Sequence, residues 1–462
     1  MNETSSASNA LPTLTNEQIA RHLTDDFWDW EEVGRHYFQP ADGRTITVNL
    51  DGLTEDGRTL ARAALQSWAD VTPLVFVEVS TIADINFDDE ANGAITNFTY
   101  SGDQMLSADI NISTGWVAFY GTGYDTYSMQ TYIHEIGHAL GLGHAGFYDG
   151  DARYGNDAHY ANDSWQVSLM SYFSQTNNTA IDADLAYAVT PMIADLLAIE
   201  DLYGPVSVNL GPTVYGANSN VDGYMEELFN TFFDPGWRVP EFSFTIKDTG
   251  GRDTLDFSNE LADQRLDLRP GGISDVGGIV GNMVIAEDTL IEWAYGGRGD
   301  DLIIGNIQAN KLVGDEGNDV ITGGQLRDFL DGGPGNDVLT GNGGPDNLKG
   351  RGGNDRLNGG YGDDIISGQG GNDIMEGGPG ADRFDFNFGT DIILDFEDDV
   401  DTLWLDDRFW SGTLNVAEVL DAYINDAETT ANSVTFRFDS GESLRIEGIG
   451  DETLLLDDIV FF

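Results

Sequence analysis

The run His134-Glu135-Ile136-Gly137-His138-Ala139-Leu140-Gly141-Leu142-Gly143-His144 gathers three imidazoles and a carboxylate in a short stretch of chain. His134 and His138 lie four residues apart, so in a helix their rings share a face and can converge on one ion. Glu135 sits beside the first ring, where a carboxylate can take a proton from a metal-activated water. Gly141 lets the chain leave the helix sharply and swing His144 in as a third ligand. Three protein ligands leave one position open for water, the arrangement of a catalytic zinc ion. The chain has only six histidines and three are in this motif. His22, His36 and His159 lack such partners and read as surface or core residues.

A second pattern is periodic. From Gly296 to Asp385 a nine-residue unit repeats ten times without a slip. Its sixth position holds Asp301, Asn310, Asp319, Asp328, Asp337, Asp346, Asp355, Asp364, Asp373 and Asp382. Its eighth position is always a large apolar residue, from Ile303 and Leu312 through to Met375 and Phe384. Glycines fill most of the early positions. A period of this kind marks a solenoid in which each unit stacks on its neighbours.

Several elements must hold these groups in place. A short helix fits Asn16 to Asp29, and a second, Arg58 to Val71, puts Ala61, Ala64, Leu65 and Trp68 on one face. Strand candidates run from Ala83 to Phe87, Ala94 to Tyr100 and Leu106 to Ser113, each alternating apolar and polar residues. Helices fit Ser128 to Leu140, which carries the first two histidines, and Pro191 to Tyr203. The text changes character after Gly204, which sets the expected boundaries: a polar leader over 1–15, a catalytic domain over 16–204 and a repeat domain over 205–462.

The net charge of −59, from 80 acidic and 21 basic residues, argues against nucleic acid and anionic membrane as partners and favours divalent cations. It fits a solvated acidic surface and a salt adaptation equally well. With no cysteine there are no disulfides or thiolate metal sites. No apolar run approaches a membrane span, and Met1 to Thr15 lacks the apolar core of a signal peptide. No Gly-x-Ser-x-Gly elbow is present, which argues against a serine lipase.

Ser168-Leu169-Met170-Ser171-Tyr172 supplies the methionine turn that follows the long zinc motif in metzincins. With it, and with Leu60 to Trp68, Asp195 to Ile199, Gly250 to Phe257 and the nonapeptides, most of the chain resembles the serralysin family, secreted bacterial zinc proteases with calcium-binding RTX repeats. The resemblance implies an α+β metzincin-type catalytic domain followed by an all-β parallel β-roll. It implies a monomeric, extracellular endopeptidase acting on internal bonds of protein and peptide substrates. Glu135 would be the general base and Met170 an apolar floor beneath the histidines. Tyr172 would be a mobile phenol that ligates zinc at rest and then stabilises the oxyanion; the alternative, a packed aromatic, is the lesser reading. Substrate would lie along the edge strand Ala94 to Tyr100.

By the same resemblance, calcium would bind between successive turns of the roll. Its ligands would be the position-six side chains and main-chain groups of Gly297, Gly299, Asn306, Gln308, Gly314, Asp315, Gly317, Gly333, Gly335, Gly360 and Gly362. Asp248, Gly250, Gly251, Asp253 and Glu292 would hold calcium where the domains meet. Residues 1–15 would be a short propeptide. The terminal Leu454 to Phe462 reads by itself equally as an uncleaved signal for the type I secretion apparatus or as a last core strand; with the repeats and the missing signal peptide, export is the expected reading. Gly143, Ala145, Phe147, Asn209 to Thr213 and Trp293 depart from the family pattern without removing a zinc ligand.

Overall fold

A computed structural model describes residues 11–232, 241–424, 430 and 432–462; the first ten residues of the expected leader lie outside it. Thr15 and Gln18 form a reciprocal cap that starts the helix Asn16–Arg21. The helical run continues through a π turn, His22–Asp26, to Phe27–Trp30, burying Ile19, Leu23 and Phe27.

Among the described residues, six strands make the sheet of the first half. Its order is Tyr37–Phe38, Gln104–Ile112, Ile85–Asp88, Thr45–Gly52, Val75–Glu78, all parallel. Ala94–Ser101 alone is antiparallel, paired only with Gln104–Ile112, so it forms a free edge. The helix Glu55–Ala69 begins three residues before the expected Arg58, because Thr54 caps Gly57 N–H. It packs against the helix Tyr127–Ala139, which carries His134 and His138, where Trp68 Nε1 donates to the Ile133 carbonyl at 3.0 Å. Strand Thr45–Gly52 and helix Thr114–Tyr120 add to the elements expected from sequence.

The helix Ile193–Tyr203 ends at Gly204, whose φ of 86° lets the chain turn into the second half. There, consecutive nonapeptides alternate between two parallel sheets, so same-sheet partners lie 18 residues apart. Leu312 pairs with Leu330, Leu330 with Leu348, Leu348 with Ile366 and Ile366 with Phe384. Position eight is at most 1% exposed in every unit, so the apolar row forms the core between the sheets. The turns stack backbone on backbone. At Gly335 a Cβ would lie 1.4 Å from the Gly317 carbonyl oxygen, and φ is 156°, so only glycine fits.

The register continues one unit beyond Asp385. Asp391 and Ile393 occupy its sixth and eighth positions and are 2% and 0% exposed. The last residues form a strand, Ile459–Phe461, parallel to Thr402–Leu405.

Residues beyond Gly204 return to the first half. Strand Phe242–Ile246 pairs with Tyr187–Ala188, and Lys247 Nζ bridges Glu200 and Asp288. Gln166 Nε2 donates to the Gly281 carbonyl at 3.1 Å. Tyr224 N–H, on the helix Tyr224–Phe232, donates to Asp70 at 2.9 Å. No helix among the described residues is long and apolar enough to cross a membrane.

Candidate active site

His134 and His138 leave one face of the helix Tyr127–Ala139, and a turn at Gly141 brings His144 onto them. Gly141 has φ 107°, and a Cβ there would lie 2.4 Å from the His36 carbonyl oxygen, so glycine is needed for both conformation and space. The ligand-capable nitrogens of the three rings fall within 4.8 Å of one another.

Each ring is held through Nδ1 by a backbone carbonyl: His134 by Leu169 at 2.9 Å, His138 by Leu142 at 2.8 Å and His144 by Tyr148 at 2.9 Å. Those carbonyls fix the proton on Nδ1 and leave a lone pair on each Nε2. Burial reinforces the neutral form, lowering His134 to about 4 and His138 to about 3. His138 Nε2 and His144 Nε2 stand 3.0 Å apart with no proton to share. Two lone pairs this close repel unless a cation lies between them, and three neutral imidazoles with one open side suit zinc.

Glu135 is 7% exposed, and burial raises its carboxyl to about 7 while the Thr96 hydroxyl pulls it back. Thr96 Oγ1 lies 2.7 Å from Glu135 Oε2 and 3.0 Å from its carbonyl oxygen, tying the free-edge strand to the carboxylate. Sequence reasoning named the strand but missed Thr96, whose role depends on two elements meeting.

Met170 is fully buried beneath the motif, and its sulfur would lie 2.8 Å from a Cβ at Gly137. The Tyr172 ring centroid is 4.4 Å from His144 and 6.1 Å from His134, which places the phenol beside the triad. Burial raises its hydroxyl, opposed by a hydrogen bond with the Gly150 backbone. The open side of the site is a cleft in two halves, of about 470 and 360 Å³, with Glu135, His134 and Tyr172 common to both. Ala94 lines both halves, and Ile95, Thr96 and Phe98 line the smaller one.

Two buried carboxylates support the methionine turn: Asp195, which the sequence offered only as part of a matching segment, and Asp163, which it did not single out. Asp195 accepts from Ser168 Oγ at 2.6 Å and from Leu169 N and Met192 N, each at 2.8 Å. Asp163 accepts from Ser171 Oγ at 2.6 Å and Tyr148 OH at 3.1 Å. Of the remaining histidines, His22 and His36 are buried; His36 packs against Trp28, Phe98 and Tyr100.

In the roll, position-six side chains bond in file. The N–H groups of Asp301, Asp319, Asp337, Asp346, Asp355 and Asp364 donate to Oδ1 of the aspartate 18 residues on, at 2.7 to 2.9 Å. The buried Oδ2 atoms of Asp319, Asp337, Asp346, Asp355, Asp364, Asp373 and Asp382 have no hydrogen-bond donor. Buried carboxylate oxygens lacking donors fit a hard, oxygen-seeking cation such as calcium. Asn306, Gln308 and Asn310 differ. The amides of Asn306 and Asn310 are hydrogen-bonded to protein atoms, Asn310 Nδ2 to Asn306 Oδ1 at 3.2 Å. Burial raises Asp248 and Asp253, the nearby Glu292 adds to the rise of both, and Asp253 reaches about 7.

A family model described as Peptidase M10 serralysin C terminal matches residues 205–460, and one described as Metallo-peptidase family M12B Reprolysin-like matches residues 33–192. Serralysin B of Dickeya chrysanthemi is 35% identical over 323 residues, 64% of this chain and 65% of that protein. Metalloprotease AprA of Pseudomonas entomophila is 35% identical over 336 residues, 66% of each chain. The match thus spans just under two thirds of those relatives' own lengths. A serralysin C of Dickeya chrysanthemi is 40% identical over 258 residues, 53% of this chain and 52% of that protein. With the serralysin model covering more than half of the residues, the chain belongs to the serralysin family.

Proposed function

We propose that this chain is a zinc-dependent endopeptidase that hydrolyses internal peptide bonds of proteins. The observation that carries the reading is three neutral imidazoles aiming Nε2 lone pairs at one point, beside a buried carboxylate, on the floor of an open cleft. His134, His138 and His144 would hold a zinc ion, which when bound would supply Lewis-acid chemistry toward the scissile carbonyl and the attacking water. A peptide lies along Ala94 to Tyr100 by strand addition, using the free edge. Glu135, oriented by Thr96, takes the proton of the water and passes it to the leaving amine. The Tyr172 hydroxyl donates to the developing oxyanion.

The position-six aspartates and the Asp248, Asp253 and Glu292 group bind calcium, and the chain leaves the cell by the type I route to fold as an extracellular monomer. The residues before about 16 act as a short propeptide. The test is casein hydrolysis by the full chain in calcium. Activity should vanish with a zinc-selective chelator and return on adding zinc, whereas hydrolysis that persists in zinc-free protein overturns the reading.

A further inference from the structure

The larger half of the cleft is walled by aromatic rings. Trp116 and Tyr127 lie 5.9 Å apart at 33°, and Tyr127 and Trp165 lie 5.6 Å apart at 30°. All three line the cavity beside Glu135 and Tyr172. The indole N–H groups face protein partners: Trp116 Nε1 donates to Thr131 Oγ1 at 3.1 Å, and Trp165 Nε1 to the Ser171 carbonyl at 2.8 Å. The walls therefore offer π surface and no free indole donor. Exposed Asp151 stands among the lining residues, and Glu31 and Asp149 line the other half. No lysine or arginine lines either half.

Resting on the peptidase reading above, we propose that this half of the cleft is a pocket for a cationic side chain of the substrate, arginine before lysine, at a residue flanking the scissile bond. A guanidinium is planar and weakly hydrated, so it can stack on the rings while its edge pairs with Asp151. An aliphatic or phenyl group gains the ring contact alone. A carboxylate is repelled by Asp151, Glu135 and the field of a chain carrying −59. The substrates this favours are basic proteins and peptides, whose encounter with the cleft is steered by charge.

The test uses the full chain loaded with zinc and calcium. Quenched-fluorescence peptides of one sequence carry Arg, Lys, Leu, Phe or Glu in turn on each side of the scissile bond. On one side, Arg should exceed Leu and Phe in kcat/KM by about ten-fold, with Glu lowest. The KM of the Arg peptide should rise with sodium chloride. Asp151→Asn, at an exposed position, should lower the Arg to Leu ratio several-fold. Equal rates for Arg, Leu and Phe at both positions, or an unchanged ratio in D151N, overturn the pocket while leaving the peptidase reading intact. Failure to cleave any peptide or casein overturns both.

Discussion

Glu135 is held between two demands. Burial pushes its proton affinity up to about 7, and the Thr96 hydroxyl at 2.7 Å keeps the carboxylate oriented and partly charged. A group so poised can take and return a proton near neutral pH. Glu135→Gln keeps the shape and can still accept from Thr96, yet it cannot take a proton. We expect kcat to fall by about 10³-fold or more while one zinc stays bound, since the histidines are untouched. Steady-state assays with metal analysis check this, and retention of a tenth of the wild-type kcat would falsify the assignment. Tyr172 separates similarly from a packing role. Its ring meets His144 edge-on and Tyr148 at a tilt whether or not it bears a hydroxyl. Tyr172→Phe should therefore keep its melting temperature and KM while kcat drops roughly 10- to 100-fold. Unchanged kcat would return Tyr172 to packing alone.

The elements that aim the triad depend on contacts between distant segments. Asp195, near the start of the helix Ile193–Tyr203, holds the methionine turn by bonds to Ser168 and Leu169. The Leu169 carbonyl in turn holds His134 Nδ1. Asp195→Asn replaces one acceptor oxygen with a donor among three donors, a buried mismatch of roughly 2–4 kcal/mol. It should lower both the melting temperature and zinc affinity, measured by chelator competition; a drop in melting temperature with unchanged zinc affinity would break the proposed link to His134. This relay was invisible in the sequence because its partners are 26 to 35 residues apart and none follows a period. The zinc motif was legible because four-residue spacing within one helix fixes ring direction without tertiary knowledge. The roll was legible for the same reason, since each unit repeats its own contacts. Its eleventh unit escaped notice because Phe386-Asn387-Phe388 breaks the glycine pattern, although Asp391 and Ile393 keep the register. Tyr37–Phe38 is too short to show an alternation.

At the scale of the whole molecule, a chain of net charge −59 stacks its buried acids in a file. Burial, followed by the charge of neighbouring acids, raises Asp337 to about 6, Asp346, Asp355 and Asp382 to about 7, and Asp319 to about 8. Burial likewise raises Asp391 to about 8, after which the charges of Asp373 and Asp355 add to the rise. A folded-state value above the unfolded one means the folded roll binds more protons. That stability is present in full below about pH 4 and is lost as pH climbs through 6 to 8. A rise from 3.8 to about 7, as at Asp346, corresponds to roughly 4 kcal/mol for one carboxylate. Each unit sets only one large buried apolar side chain against that loss, so the roll without metal should come apart near pH 8. Calcium held by these oxygens, as proposed above, would replace the missing protons and turn binding energy into folding energy. Hydrogen exchange on the full chain, read by mass spectrometry over residues 296–393, tests this directly. In excess chelator, protection of these strands should fall as pH rises from 5 to 8. In saturating calcium it should stay high throughout, and magnesium, which demands a tighter octahedral shell, should substitute poorly. Because protons compete for the same oxygens, the calcium needed for half-protection should rise as pH drops below about 7. Strands equally protected at pH 5 and pH 8 in chelator would show that the roll stands without the cation.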